Sequence, residues 1–447
     1  MEMRDEYRSL LRLGSPVLAS QLGAICVGFA DTMMVGAYGV NELAAAAFVN
    51  SLFFIATVAI IGFAAGLTPL VGALYGVHDF HKAGQTLRAG LEVNILVSLG
   101  VAAIMALLYL CLGHMGQPDE LMPLIRRYYM LVMLSLVPTS LFCTFQQTAN
   151  GCNDTTMPMC VVLSANVLNI IGNYALIFGH FGCPELGLAG AGISTVCAYT
   201  LQAIAIVAIM LCSKRYKEIR DGFRHPGEYG RMRMTVVRTS FPVMIQTTVE
   251  CSLWTLGAIV CGWFGKIQLA SYQVVNTLGR LGFMTYMSFS TAVAIRVANH
   301  TGRHDVNAIR TTTGAGLHLN IALAITASLI LAVWGDSLTG RFTKDTAVIG
   351  NAAGLIPLLI LYQFCDAAQL TFANALRGTS VVRPLLYVAL VSYILIGTPV
   401  MLWMADICDM GNRGVYWAFN IALAIAAMML WISLRRALRQ MEEVNGK

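Results

Sequence analysis

The stretch that decides the fold is Pro16–Gly36, "PVLASQLGAICVGFADTMMVG", which contains a single charged side chain, Asp31. A helix needs about 20 predominantly apolar residues to cross the hydrocarbon core of a bilayer. The stretch therefore predicts a membrane-spanning helix that carries one carboxylate within it.

The rest of the chain repeats this apolar character. Apolar residues make up 57% of the 447 residues and charged residues 12%, which is typical of an integral membrane protein. Short polar segments separate twelve apolar runs, so we expect an all-α membrane protein with twelve transmembrane helices. The predicted spans are 14–38, 43–75, 88–113, 124–150, 156–180, 187–212, 239–262, 267–300, 312–334, 347–376, 384–405 and 414–434.

The distribution of basic residues predicts the orientation. Lysine and arginine cluster before the first span, in alternate loops, throughout 213–238 and after the last span, whereas the other loops contain only Lys266, Arg341, Lys344 and Arg413. Cytoplasmic loops carry the excess of basic residues. We therefore expect both termini in the cytoplasm of a multi-pass inner (plasma) membrane protein. The net charge of +6 then reflects topology, and no nucleic-acid partner is expected.

The two halves of the chain are copies of one pattern. Shifting the sequence by 226 residues aligns 16–95 with 242–321 without gaps and gives at least twenty identical pairs, including Pro16 with Pro242 and Asn94 with Asn320. Each copy has six spans, so both halves insert in the same orientation. Parallel repeats of this kind occur in secondary transporters. The predicted domains are an N-terminal lobe at 1–212, a cytoplasmic linker at 213–238 and a C-terminal lobe at 239–447.

Three acids stand out in the predicted spans of the first, seventh and tenth helices: Asp31, Glu250 and Asp366. An ionised group in a membrane costs at least about 2.5 kcal/mol and usually marks an ion or substrate path. The repeat pairs Asp31 with Gly257 and Glu250 with Ala24, so neither acid is duplicated. The acids are therefore candidate ion-coupling residues, although each alone can also be a neutralised or salt-bridged core residue.

Several polar residues accompany these acids. Asn166, Asn169 and Asn173 recur at spacings of three and four, which places their amides on one helix face, either along a polar path or as contacts between helices. Tyr362 precedes Asp366 by one turn and can offer a hydroxyl or an aromatic face to a cation. Arg280 is a possible charge partner for an acid.

The chain contains twelve cysteines, and ten of them lie within or at the ends of apolar spans. These ten are expected to be small core residues. Cys183 and Cys408 fall in predicted outward loops at equivalent places in the two halves. A disulfide between them is one alternative that the sequence leaves open.

Taken in order, these segments resemble the multidrug and toxic compound extrusion (MATE) family, and within it the NorM branch. The resemblance is carried by Pro16–Gly36, "NVLNIIGNYALIFG" at 166–179, "FPVMIQTTVE" at 241–250, "QVVNTLGRLGFM" at 273–284 and "QFCDAAQLTFANALRG" at 363–378. It implies two six-helix bundles that form a V-shaped cleft. It also implies export of organic, often cationic, compounds in exchange for Na⁺ or H⁺.

The resemblance also implies roles for individual residues. Asp31 matches an aspartate of the first helix tied to protonation or cation binding, and Asn169 and Asn173 match the amides grouped with it. Glu250, Asp366 and Tyr362 match a cation site, a Na⁺ candidate, in the C-terminal lobe. Arg280 departs from the family pattern, because a small polar or apolar residue is expected there.

Two other functions are alternatives to antiport. A flippase for lipid-linked saccharides would need a more cationic cleft to hold a pyrophosphate group. A membrane-embedded enzyme would need paired acids for Mg²⁺-diphosphate or a cluster of metal-ligating histidines, and the sequence offers no such cluster. We therefore expect a monomeric transporter, not an enzyme, with no resident cofactor. Its expected partners are small organic cations or amphiphilic drugs and the lipid bilayer.

Overall fold

The regular structure is helical throughout residues 3–225 and 229–445, the ranges that this computed structural model describes. Within these ranges twelve helical stretches are long and apolar enough to cross a membrane. The predicted all-α membrane fold with twelve spans is thereby confirmed. The helices are α1 Met3–Tyr38, α2 Val40–Ala65 continuing as Leu67–Gly76, α3 Phe80–Cys111, α4 Met122–Leu134 continuing as Leu136–Gly151, α5 Thr156–Phe178, α6 Leu188–Cys212, α7 Tyr229–Trp263, α8 Lys266–Gly302, α9 Val306–Phe342, α10 Thr346–Gly378, α11 Arg383–Ile407 and α12 Asn412–Asn445.

The turns that precede α3 and α9 show the sequence repeat as repeated geometry. His78 and His304, 226 residues apart, both adopt left-handed backbone conformations with φ of 61° and 56°. The next residues cap the helices: Asp79 accepts a hydrogen bond from the Lys82 backbone N–H at 3.1 Å, and Asp305 accepts one from Ala308 at 2.9 Å. Such caps satisfy backbone donors that a helix start otherwise leaves unpaired.

Asn94 and Asn320 occupy equivalent positions in the two halves, and both are buried and join neighbouring helices through their side-chain amides. The Asn94 amide donates to Thr144 Oγ1 at 2.8 Å, which ties α3 to α4. The Asn320 amide donates to Thr371 Oγ1 at 2.8 Å and to Ser290 Oγ at 2.9 Å, which ties α9 to α10 and α8. Interhelical hydrogen bonds of this kind hold membrane helices together where burial of apolar surface cannot.

The chain forms two compact units. The C-terminal unit combines the start of the chain up to Leu18 with Ile245 and the residues after it, and the N-terminal unit is Ala19–Met244. The divisions lie at repeat-equivalent points of α1 and α7, since Leu18 and Met244 are 226 residues apart. The boundaries of these units differ from those of the predicted lobes at 1–212 and 239–447. The first turns of α1 belong to the C-terminal unit, and the first turns of α7 belong to the N-terminal unit.

These exchanged segments are held differently in the two units. In the C-terminal unit, Glu6 is fully buried, pairs with Arg296 Nη2 at 2.6 Å and accepts a hydrogen bond from Thr312 Oγ1 at 2.9 Å. In the N-terminal unit, Met232 is at the position equivalent to Glu6, and Thr86 is at the position equivalent to Thr312. The Thr86 hydroxyl donates to Met232 Sδ at 3.4 Å. The first turns of α1 are therefore held by a buried ion pair, whereas those of α7 are held by a more exposed one, between Arg233 and Glu92 on α3.

The linker is more structured than its sequence predicted. A turn at Lys214–Tyr216 leads into a short helix, Lys217–Arg224, which we call the linker helix. After residues 226–228, which lie outside the described ranges, α7 already begins at Tyr229, ten residues before the predicted start of that span. The polar composition of the first turns of α7 concealed this extension.

Two further sequence interpretations need adjustment. Cys183 and Cys408 are both free, so the disulfide left open by the sequence is absent from the structure. Arg126 and Arg127 lie in the first turns of the helix Met122–Leu134, near the end predicted to face outward, where the sequence analysis had counted only loop residues. The other basic residues still favour the opposite side, so the predicted orientation remains a prediction.

Candidate functional site

Asp31 lies on α1 in the N-terminal unit and is partly exposed. Its Oδ1 accepts a short hydrogen bond from the Asn173 side-chain amide on α5. The same amide nitrogen donates to Asn169 Oδ1 at 3.2 Å, one turn earlier on the helix. The spacing of four predicted that these two amides share a face, and the structure brings that face to the carboxylate.

The chain of amides continues to α6. Asn169 Nδ2 lies 3.4 Å from Ser194 Oγ, and the Ser194 hydroxyl donates to the Asn169 carbonyl at 3.0 Å. Asn169 and Asn173 are both buried. The carboxylate of Asp31 therefore sits at the end of a network of neutral dipoles that spans three helices, which lowers the cost of holding a charge there.

The C-terminal unit contains a second and different acidic centre. Asp366 on α10 is completely buried; the Tyr362 side chain lies near its carboxylate, but neither oxygen accepts a hydrogen bond of 3.5 Å or less within the described ranges. Glu250 on α7 is 7% exposed; its Oε2 accepts from Gln246 Nε2 at 3.3 Å, and its Oε1 has no partner within the described part of the chain. The two carboxylates interact electrostatically.

A buried cation, Arg377, lies in the same unit. Arg377 is 5% exposed, donates from Nη2 to Gln246 Oε1 at 3.4 Å and interacts electrostatically with Glu250. Gln246 thus bridges the arginine and the glutamate. When all three groups are ionised, Glu250, Asp366 and Arg377 together carry one net negative charge. One monovalent cation or one proton would neutralise this cluster, which we call the C-terminal acidic cluster.

The oxygen atoms around the cluster suit a hard cation such as Na⁺, which prefers oxygen ligands to nitrogen or sulfur. Six buried oxygens have no hydrogen-bond partner in the ranges that the structure describes: Glu250 Oε1, Asp366 Oδ1, Asp366 Oδ2, Tyr362 Oη, Gln363 Oε1 and Gln369 Oε1. Buried polar atoms normally find partners, so an uncompensated set is costly unless something else binds it. No group of three His, Cys, Asp or Glu residues able to hold a metal occurs in the described ranges.

Aromatic rings lie next to the acids. Tyr362 is 2% exposed, and its ring meets Trp254 edge to face at a centroid distance of 5.3 Å. Trp254 follows Glu250 by one helical turn, is partly exposed and stacks on Phe419 at 5.9 Å. The cluster therefore combines carboxylates with π surfaces, which together attract organic cations.

Arg280, the predicted charge partner, is exposed on α8, where its charge acts on the Cys251 thiol. Its pairing with an acid stays a prediction. Sequence analysis missed Arg377 because it lies near the end of α10, where it was counted as a loop residue. A spacing signal was available: Asp366 and Arg377 are eleven residues apart, close to three helical turns, and so share a face.

Comparisons with known proteins place the chain in a family. Residues 16–175 and 242–403 match the MatE family model, one segment in each half of the chain. The chain is 28% identical over 439 residues to the multidrug resistance protein NorM of Photobacterium profundum, covering 97% of this chain and 96% of the relative. It is 26% identical to the protein of the same name from Vibrio cholerae, covering 99% and 98%.

Solved structures show the same fold. The crystal structure of the eukaryotic MATE transporter AtDTX14 superposes with a TM-score of 0.88 at 19% identity and covers 99% of both chains. A crystal structure described as MATE in the bent conformation superposes with a TM-score of 0.88 at 15% identity and covers 100% of both chains. At these identities the likeness concerns the fold alone.

Proposed function

Because this chain belongs to the MatE family, we propose that it is a secondary active antiporter that exports organic, often cationic, drugs in exchange for Na⁺ or H⁺. The NorM relatives are named as multidrug resistance proteins and align with nearly the whole chain. Export would proceed by alternating access, with drug and coupling ion favouring different conformations.

The observation that carries this proposal is the C-terminal acidic cluster. The three groups are buried, since Asp366 is fully enclosed and Glu250 and Arg377 are nearly so, and they carry a net negative charge when all three are ionised. A buried charge without compensation is strongly unfavourable. Binding of one Na⁺ or one proton removes the imbalance, and an organic cation competes for the same charge. Drug and coupling ion therefore exclude one another, which is the requirement for exchange.

Asp31 supplies a second place where coupling can act. Its carboxylate is partly exposed and is held by the Asn173 amide, so a proton or a cation can reach it without crossing a closed core. In the proposed cycle, neutralisation of Asp31 weakens the binding of an organic cation in the N-terminal unit. The two acids thus differ in burial and in the groups that surround them, while each can exchange a cation or a proton.

The proposal extends to partners and location. We assign the protein to the cell inner membrane with both termini in the cytoplasm, as a monomer without enzymatic activity or a resident cofactor. The alternative, a flippase for lipid-linked saccharides, is not favoured by the match to the MatE family and to NorM relatives. The C-terminal acidic cluster would also repel a pyrophosphate group, because its net charge has the wrong sign.

The experiment that tests the function uses the full chain reconstituted in liposomes. Efflux of a fluorescent organic cation is followed under an imposed Na⁺ gradient, an imposed pH gradient and no gradient. The proposal expects efflux against the drug gradient under at least one ion gradient and none when both are absent. Efflux that ignores both gradients, or transfer of a lipid-linked saccharide in place of the drug, would contradict it.

A further inference from the structure

An apolar cavity lies beneath the linker helix, away from the acids. It encloses about 150 Å³ and is formed by the adjoining ends of α3, α4 and α6 with the linker residues. Leu87, Phe145 and Met210 form its buried wall, each 4% exposed or less. A cavity of this size lined by apolar side chains stays dry and accepts apolar guests.

The linker residues that cover this cavity are held in place by a buried acid. Asp154, 7% exposed, accepts a hydrogen bond from the Tyr216 hydroxyl at 2.7 Å and pairs with Arg215 Nη1 at 2.9 Å. Burial and the hydrogen bond to Asp154 raise the pKa of the Tyr216 hydroxyl far above its ordinary value. The hydroxyl therefore stays protonated and donates at any physiological pH, which keeps the linker fixed.

Two glycines bring the linker helix into backbone contact with α3. A Cβ on Gly84 would lie 2.0 Å from the Ile219 carbonyl oxygen, and a Cβ on Gly222 would lie 2.0 Å from the His81 carbonyl oxygen. Only glycine permits this approach. The linker helix is thus seated as closely as backbones allow, yet the cavity beside it stays open.

One polar group lines this otherwise apolar cavity and points to an amphiphilic guest. Arg220 donates from Nη1 to the Leu211 carbonyl, which fixes its guanidinium, while its Nε is buried without a hydrogen-bond partner among the described residues. Leu211, the neighbouring lining residue, is 40% exposed, so the cavity communicates with the surface there. A fixed N–H donor beside an apolar cavity matches a carbonyl or phosphate oxygen joined to a hydrocarbon chain.

Charge favours an anionic guest. Residues 213–225 contain five lysines and arginines against two acids. This segment follows the end of α6, which is predicted to face the cytoplasm. Basic segments next to membrane spans attract the anionic lipids of that leaflet.

We propose that this cavity binds one acyl chain of an anionic phospholipid of the cytoplasmic leaflet, with the positive charge of the Arg220 guanidinium next to its phosphate group. The linker would then be attached to the bilayer by a specific lipid as well as to the protein. This site does not depend on the proposed transport function, since none of its residues belongs to the acidic centres.

Native mass spectrometry of the full chain tests the cavity. The purified protein is titrated with phosphatidylglycerol and phosphatidylethanolamine of identical chains, and the affinity of the first bound lipid is compared. Val207→Phe fills the cavity from α6, and Ile204→Phe, at an exposed position one turn away, is the control. Loss of about two methylene contacts predicts roughly tenfold weaker phosphatidylglycerol binding for Val207→Phe. Wild-type binding by Val207→Phe and by a second filling variant, Leu141→Phe, would overturn the proposal.

The charge is tested by Arg220→Gln against Arg224→Gln, an exposed arginine on the same linker helix that does not line the cavity. Loss of one basic contact predicts about fivefold weaker phosphatidylglycerol binding for Arg220→Gln, with phosphatidylethanolamine unchanged. The control should lose clearly less, because Arg224 contributes only to the general positive charge of the segment and does not line the cavity. Equal losses in both arginine variants, or equal affinity of wild type for the two lipids, would contradict an anionic lipid held by Arg220.

Discussion

The two acidic centres place a carboxylate within a membrane-spanning helix in contrasting surroundings. Asp31 is partly exposed and ends a network of neutral amides, whereas Asp366 is fully buried and has no hydrogen-bond partner in the described ranges. The first arrangement tolerates a charge, and the second needs a neutralising ligand. The two copies of the repeat thus differ: side-chain amides surround the carboxylate in one half, and a buried arginine lies near the Glu250 carboxylate in the other.

Removal of the buried cation, Arg377, should have the largest effect on the stability of the C-terminal acidic cluster. Arg377→Gln leaves the buried Glu250 without its positive neighbour, and a buried charge that loses its partner typically costs about 3 kcal/mol or more. We expect a marked fall in Tm of the purified protein, largely restored in the double variant Arg377→Gln with Glu250→Gln. Arg341→Gln, at an exposed position near the end of α9, is the control and should keep a Tm near that of wild type. An equal fall in Tm for the two arginine variants would contradict the assignment of Arg377 to the C-terminal acidic cluster.

Neutralisation of the acids should shift stability in opposite directions. Asp366→Asn removes a net buried charge, so in Na⁺-free buffer at high pH it should stabilise the protein by about 1 to 3 kcal/mol. Asp31→Asn replaces a charged acceptor with a neutral amide oxygen, which weakens the hydrogen bond from Asn173 and should destabilise by about 1 kcal/mol. The gain from Asp366→Asn should shrink as the pH falls, because a proton then neutralises the wild-type cluster. Thermal unfolding between about pH 6 and pH 9 measures both, and shifts of the same sign would contradict the contrast.

A smaller effect should follow from cutting the amide network. Asn173→Ala removes the donor to Asp31 and to Asn169, and a lost hydrogen bond of this kind costs about 1 to 2 kcal/mol. Ser194→Ala, at the far end of the network, should cost less. Thermal unfolding of both variants in detergent provides the test. A larger loss for Ser194→Ala would mean that the network serves helix packing more than Asp31.

The sequence predicted much of this contrast but not its chemistry. The 226-residue repeat and the helical spacing of Asn169 and Asn173 are local patterns, so they foretold the duplicated turns and the amide face. The bridge from Arg377 through Gln246 to Glu250 joins residues more than a hundred positions apart. Such contacts depend on how α7 packs against α10, which no periodicity within one helix specifies.

The exchanged first turns of α1 and α7 were also beyond sequence analysis. Glu6 precedes the predicted first span and looks like a solvated charge, yet it is fully buried against Arg296. Hydropathy assigns such polar turns to loops, because it scores each residue without its partner. Only the fold shows that the partner is supplied from the other half of the chain.

The most direct test of the central claim is drug efflux from proteoliposomes, with Asp366→Asn and Asp31→Asn measured beside wild type under imposed Na⁺ and pH gradients. If the C-terminal acidic cluster binds the coupling ion, Asp366→Asn should insert and fold but lose efflux under the gradient that drives wild type. Asp31→Asn should retain Na⁺-driven efflux if Na⁺ is the coupling ion at the cluster. Undiminished gradient-driven efflux by Asp366→Asn would contradict the account.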